Sequence, residues 1–212
     1  MTFYHIQLDI VEFTRLYLAV FYSFVAIFYT ARIIIKNKSE HKNKKNKFIF
    51  PGERYCSTWW NHMVFRLFRA SIWMVCLARL FFPIVDNYLG MISLSQSFFI
   101  VLLGDILLTF GFLMTVIIHF KMGEQWRSGI DPTGPKNLIT TGFYKYSRNP
   151  MFLSIALSQF AFFLALPSLF SLLCLIIGVI ALYRQIVSEE KHLSHLFPEQ
   201  YKLYTSNVSR WL

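Results

Sequence analysis

Apolar residues come in long blocks along this chain, separated by short basic stretches. Residues 16–35 read "LYLAVFYSFVAIFYTARIII", with one charge, Arg32. Residues 94–118 read "LSQSFFIVLLGDILLTFGFLMTVII", with Asp105 as their one charge. About 20 apolar residues at a 1.5 Å rise cross a hydrocarbon core of roughly 30 Å. Both blocks therefore predict transmembrane helices. Residues 63–85 are apolar as well, although they hold Arg66, Arg69 and Arg79. Residues 150–166 and 169–187 are two shorter runs divided by "LPS" at 166–168. Proline cannot donate to a continuing helical ladder, so this pair reads as a hairpin that crosses and returns.

The pattern predicts an all-α integral membrane fold of five transmembrane helices, with helices 4 and 5 the hairpin. The cations orient it. No Lys or Arg lies in 1–14, in 86–93 or in the Pro167 turn. Seven lie in 36–62, five in 119–149 and four in 184–212, and the other five of the 21 lie within or at the ends of spans. Short cytosolic loops carry such an excess, which puts the N-terminus outside and the C-terminus in the cytosol. Residues 1–118 then hold three spans and the basic cytosolic loop 36–62.

The net charge of +10 changes meaning in this setting. The run "KNKSEHKNKKNK" at 36–47 could suggest nucleic-acid binding. Beside two spans it reads instead as a solvated loop touching anionic lipid headgroups, and no nucleic-acid partner is expected. Cys56, Cys76 and Cys174 have no paired spacing, so neither a disulfide framework nor a metal site is expected. Residues 1–15 lack the basic start of a cleavable signal.

Two intramembrane features call for partners. Asp105 comes about 16 Å into its span by the helical rise, where an isolated carboxylate is expensive. Arg79 reaches a similar depth on the neighbouring, oppositely directed helix, so an Asp105–Arg79 pair is expected to fix helix register. Arg66 and Arg69 lie nearer the inner end. They either snorkel to the interface or face a cavity for an anionic headgroup.

The most polar approach to any span is "TTGFYKYSRNPMF", residues 140–152. Asn is a good N-cap and Pro favours the first helical position, so Asn149 and Pro150 mark the start of the fourth helix. Its free N–H groups and positive dipole end suit an anion. Arg148 adds a charge, Gly142 a permissive backbone, and Tyr144 and Tyr146 flat faces for an aromatic ring. Such a mouth could hold an adenosine ligand bearing a carboxylate, or it could be plain interfacial anchoring. The hairpin brings Glu189 and Glu190 back to the same level, where a carboxylate can accept from a ribose, receive an ammonium or act as a base. His119, at the end of the third span, faces the same mouth. A lone His at an interface is more often structural.

Taken together, "LITTGFYKYSRNPMFLS" (138–154), the Glu pair at 189–190 and the ending "LFPEQYKLYTSNVSRWL" resemble the isoprenylcysteine carboxyl methyltransferase family and its prokaryotic relatives. Phospholipid N-methyltransferases share a similar pattern, and "MGEQWRSG" (122–129) resembles the segment preceding that approach. The resemblance covers about 119–212, and 1–118 match only as generic spans. It implies a five-helix membrane methyltransferase using S-adenosyl-L-methionine, bound on the cytosolic side, capped by the C-terminal segment and releasing S-adenosyl-L-homocysteine. Leu138, Gly142, Tyr144, Tyr146, Arg148, Asn149, Pro150, Met151 and Glu190 would fall on the cofactor site, and Glu189 would border the reaction centre. Asn149 stands where eukaryotic members usually have His. An Arg closely preceding the Glu pair is replaced by Val187 and Ser188, and Arg184 is the expected substitute.

The implied acceptor is a membrane lipid or lipidated molecule, presenting a carboxylate, an amine or a thiol. The implied location is the cytoplasmic membrane of a prokaryote or the endoplasmic reticulum of a eukaryote. Sterol reductases have a related C-terminal half but much longer chains, and a non-enzymatic scaffold would need no such mouth. No pair of Gly-interrupted helices or internal repeat points to a transporter. The five-span arrangement predicts that, in a chain lacking its own cysteines, a cysteine placed at 45 is labelled by a membrane-impermeant maleimide only from the cytosol. One placed at 87 is labelled only from outside. Labelling of both from one side would overturn the topology.

Overall fold

A computed structural model describes residues 2–42, 49–93 and 97–212, and the side chains of all of these except 2–9, 36–42 and 124. The first helix, α1, spans Thr2–Lys42, longer at both ends than its apolar block. A two-residue strand β1 (Ile49–Phe50) leads to α2 (Ser57–Phe81) and α3 (Phe98–Met122). Strand β2 (Ser128–Gly129) precedes α4 (Pro150–Ala165), α5 (Leu169–Leu196) and α6 (Pro198–Asn207). The fold is helical, as the sequence predicts, apart from the short parallel β1–β2 pair. The rest of the basic run, 43–48, and the start of the third apolar block, 94–96, lie outside the described residues.

Ile10–Ile35, Phe98–Met122 and Leu169–Leu196 are long and apolar enough to cross a membrane. Helix α4 is apolar but has 16 residues, about 24 Å of rise. Helix α2 has the length, at 25 residues, but carries three arginines. The helices touch in the order α1–α2–α5–α4–α3 and back to α1, a closed ring of five. Large apolar side chains face outward around it, among them Val20, Ile27, Phe99, Ile106 and Ile176. Polar ones turn in, such as Thr14, Asn61, Asp105, Thr115 and His119. Water would oppose that distribution and lipid favours it.

Glycine sets the tightest packing. A methyl group at Gly104 would run into the backbone of Ala165 on α4, and one at Gly111, two turns on, would meet the Ser158 hydroxyl. Small residues let helices approach where no hydrophobic drive separates protein from lipid. Between them Thr115 and Ser154 share a hydrogen bond across the helices at 2.8 Å. The α4–α5 turn is buried, and Ser168 caps α5 through a reciprocal pair with Ser171. The turn is also tied to the loop after α2. Ile92 N–H donates to Pro167 C=O, Leu169 N–H to Gly90 and Phe170 N–H to Leu89.

The expected Asp105–Arg79 pair does not form. A 3₁₀ turn at Pro83–Tyr88 folds Asp86 back over the end of α2, where it meets Arg79 at 2.5 Å and Arg15 of α1 at 2.6 Å. Asp86 lies only seven residues from Arg79, so the nearer carboxylate takes the guanidinium. Asp105 accepts from Thr14 at 3.2 Å instead. Its other oxygen and Arg79 Nη1 are both buried without a hydrogen bond.

The glycine contacts carry a comparison. Gly104→Ala meets unyielding backbone and should cost about 1–3 kcal/mol by overpacking. Gly111→Ala meets a hydroxyl that can rotate and α4 backbone only at 3.1 Å, so with a gain in helix propensity of about 1 kcal/mol it should cost less than Gly104→Ala. Thermal unfolding of the two variants in detergent checks this. Equal melting temperatures would contradict the close α3–α4 approach.

Candidate active site

The chain enters α4 through a short 3₁₀ turn, Gly142–Lys145. Gly142 has φ +65°, which side-chain-bearing residues rarely adopt, with open space where a Cβ would stand. Its role is therefore conformational. Ser147 then accepts from the Asn149 N–H at 3.1 Å, and Pro150 opens the helix. Asn149 occupies the cap position but does not cap: its side chain makes no bond to the first turn. Its amide nitrogen donates to Glu190 Oε1 at 2.8 Å and to the Arg210 carbonyl at 3.3 Å. That charge-assisted donation fixes the side chain in an orientation in which Oδ1 does not accept from the first turn.

The tail closes over this turn. Arg148 N–H donates to the Ser209 carbonyl, Ser147 Oγ to that of Arg210, and the Tyr204 hydroxyl to that of Tyr144 at 2.7 Å. Arg210 grips Glu190 with Nε and Nη2 at 3.0–3.2 Å, and Arg148 Nη1 stands 3.6 Å from the same carboxylate. A carboxylate offers about four acceptor sites, so Glu190 is nearly saturated from within. Glu189, about 100° further round α5, has one hydrogen bond, from Gln185 at 2.9 Å.

Two cavities meet here. The first, about 180 Å³, lies under the tail between the α4 mouth, α5 and the 122–139 segment. The second, about 370 Å³, lies inside the helical ring and is mainly apolar. Trp126, Met151, Phe152 and Glu189 border both.

Residues 99–200, just under half of the chain, match the model of the phospholipid methyltransferase family. That stretch is similar to the phospholipid methyltransferase family. No curated protein and no solved structure matches the chain. The family is one of membrane methyltransferases, and with three long apolar helices the chain is an integral membrane protein. The match runs from α3 into α6, and so takes in the mouth and both glutamates.

Of the residues expected at the site, Leu138, Tyr144, Arg148, Asn149, Met151, Glu189 and Glu190 border the first cavity. Pro150 frames it as the first residue of α4. Gly142 shapes the turn without lining it. Tyr146 is 69% exposed and points away. Arg184 is not brought to the site: it is exposed and donates to Ser57 of α2 at 3.0 Å. The five-residue step from Arg184 to Glu189 puts them on different sides of α5. Helix α5 also runs on to Leu196, so both glutamates lie within it rather than where it emerges. Sequence reasoning missed Trp126, His192, Tyr201, Tyr204 and Arg210. Trp126 lay in the quoted "MGEQWRSG", Tyr201, Tyr204 and Arg210 in the quoted ending and His192 just before it, but no spacing rule assigns their direction.

The lining suits an anionic, aromatic ligand. Arg148 Nε and the Tyr201 hydroxyl are buried on the wall without a well-formed hydrogen bond, and the two side chains lie close to one another, so a ligand carboxylate would meet both donors together. Trp126, Tyr144, Tyr201 and Tyr204 supply faces for a ring system. The donor set therefore fits S-adenosylmethionine. Glu189 borders both cavities and accepts from Gln185, which makes it the carboxylate at the wall they share.

Proposed function

We propose that the chain is an S-adenosylmethionine-dependent methyltransferase acting on a lipid or lipid-like acceptor, an isoprenylcysteine-type carboxylate or a phospholipid amine. All five helices of the ring then cross the membrane, with the α4 mouth on the cytosolic side. The reading rests on one observation: a polar cavity at the mouth and an apolar cavity in the ring share the wall formed by Trp126, Met151 and Glu189. A polar methyl donor reaches the first cavity from water, and a lipid reaches the second within the bilayer. The reacting atoms meet at the shared wall.

S-adenosylmethionine supplies a methyl group on a positively charged sulfur. Arg148, with the first turn of α4 behind it, holds the ligand's carboxylate, and the aromatic walls hold its adenine. Glu190 fixes Arg148, Asn149 and the tail, and so sets the shape of the mouth. With an anionic acceptor, the apolar surroundings withhold water from two charges that disappear during the transfer. Alignment of donor and acceptor across the shared wall lowers the barrier further. A carboxylate or thiolate acceptor needs no base. An ammonium acceptor must first lose a proton, and Glu189 is placed to take it.

Three substitutions measured together test the reading. Arg148→Ala should weaken S-adenosylhomocysteine binding about 10- to 150-fold, the worth of a charge-assisted hydrogen bond. Glu190→Gln should also weaken binding, by loosening the mouth. Glu189→Gln should leave binding intact and lower single-turnover transfer to an amine lipid by about 10²–10⁴-fold, with a milder effect on a carboxylate lipid. A wild-type protein that binds a nicotinamide cofactor and no S-adenosylhomocysteine would overturn the proposal.

A further inference from the structure

The larger cavity is apolar in its depth, with Tyr22, Leu108, Phe112 and Phe162 on its walls. Nearer the mouth its character changes. His62, Arg66 and Arg69 follow one another at i, i+4 and i+7 on α2, hence on one helical face, and all three border the cavity. Arg32 of α1 joins them there. The first 118 residues, which the sequence identifies only as generic spans, thus contribute a cationic lining.

These charges are not neutralised from within. Among the described residues, no carboxylate forms an ion pair with Arg32, Arg66 or Arg69, and the only carboxylate on the cavity wall is Glu189. Arg69 lies over the ring of Tyr29 at 5.0 Å, a contact that leaves its charge in place. Arg32 directs Nε and Nη2 at His119 Nε2, at 3.1 and 2.9 Å. Guanidinium can only donate, so that ring nitrogen accepts and His119 brings no compensating charge. Arg127, a fourth guanidinium on the wall, differs because it faces Asp131 at 3.5 Å. Arg32 is partly buried and Arg66 and Arg69 are exposed along the rim, so an anion placed among the three would gain charge-assisted hydrogen bonds that no internal carboxylate already takes.

We propose that Arg66 and Arg69, with Arg32, form an anion site that selects the acceptor: an amphiphile whose phosphate or carboxylate sits among these guanidinium groups while its chain fills the apolar depth. Along α3, His119 to Leu108 is about 16 Å, room for a long acyl or isoprenoid tail. The anion site belongs to α1 and α2, whereas the shared wall with the donor cavity belongs to α4, α5 and Trp126. The headgroup is thereby held from one side and presented to Glu189 on another. That this ligand is the acceptor rests on the methyltransferase reading, but the anion site does not.

The test compares three probes with one oleoyl chain, oleoyl lysophosphatidate, oleate and the neutral monoolein, on protein in uncharged detergent. Binding is read by thermal shift and by tryptophan fluorescence. Lysophosphatidate, oleate or both should bind at least about tenfold more tightly than monoolein, and the stronger of the two identifies phosphate or carboxylate as the preferred group. Arg66→Gln combined with Arg69→Gln should abolish the preference, while Arg66→Lys with Arg69→Lys should retain most of it. Equal binding of all three probes would overturn the proposal, as would a preference that survives the double glutamine variant. In that case the arginines merely reach for the bilayer surface. S-adenosylhomocysteine binding to the same samples separates the two readings. Its loss from the wild type, with the preference intact, removes the methyltransferase reading and leaves the anion site standing.

Discussion

Glu190 is the carboxylate on which the mouth depends. It joins three pieces of chain far apart in sequence: the approach to α4 through Arg148 and Asn149, helix α5 itself, and the tail through Arg210. Removing the carboxylate would leave Arg148 and Asn149 without their main acceptor. A buried ion pair contributes little net stability when it is intact, yet it is expensive to break. That asymmetry suits a device that must hold one geometry. It also accounts for the missing helix cap: Asn149 gives up a neutral bond to the first turn, which leaves those N–H groups free at the cavity.

Glu189 has the opposite fate one residue earlier. Helical geometry turns it away from the cations that satisfy Glu190, toward the wall shared by the two cavities. Among the described residues its hydrogen-bond partner is Gln185. Two adjacent carboxylates thus divide into one held by guanidinium groups and one facing the shared wall. The division follows from position on a helix, with no special residue required.

Much of the fold was legible from composition. The apolar blocks located the helices, "LPS" located the hairpin turn, and "SRNP" located the start of α4. Helix ends were less visible, because α1 and α5 continue into polar sequence where nothing in the residues stops them. The Asp105–Arg79 expectation failed for a local reason: depth matching cannot foresee that a 3₁₀ turn will return Asp86 to the end of α2. The site was legible where a motif binds backbone direction to residue type, as at Arg148, Asn149 and the Glu pair. It was not legible at Arg184 or Tyr146, whose directions depend on packing. Arg210 and Tyr201 were out of reach as well, since a tail's docking is a tertiary outcome.

The division of the chain also has a chemical logic. The stretch that matches the family, 99–200, contributes most of the cavity proposed for the donor and of the shared wall. Helices α1 and α2 close the ring and bring the cations that no internal carboxylate balances. A methyl donor is common to many acceptors, so its cavity is tightly constrained by one ligand. An acceptor cavity needs only an apolar depth and a polar rim of the right sign, which many sequences can provide. On the proposed reading, changing the charges on α2 would alter which lipid is taken while leaving the Glu190 knot, and the cavity it shapes, as they are.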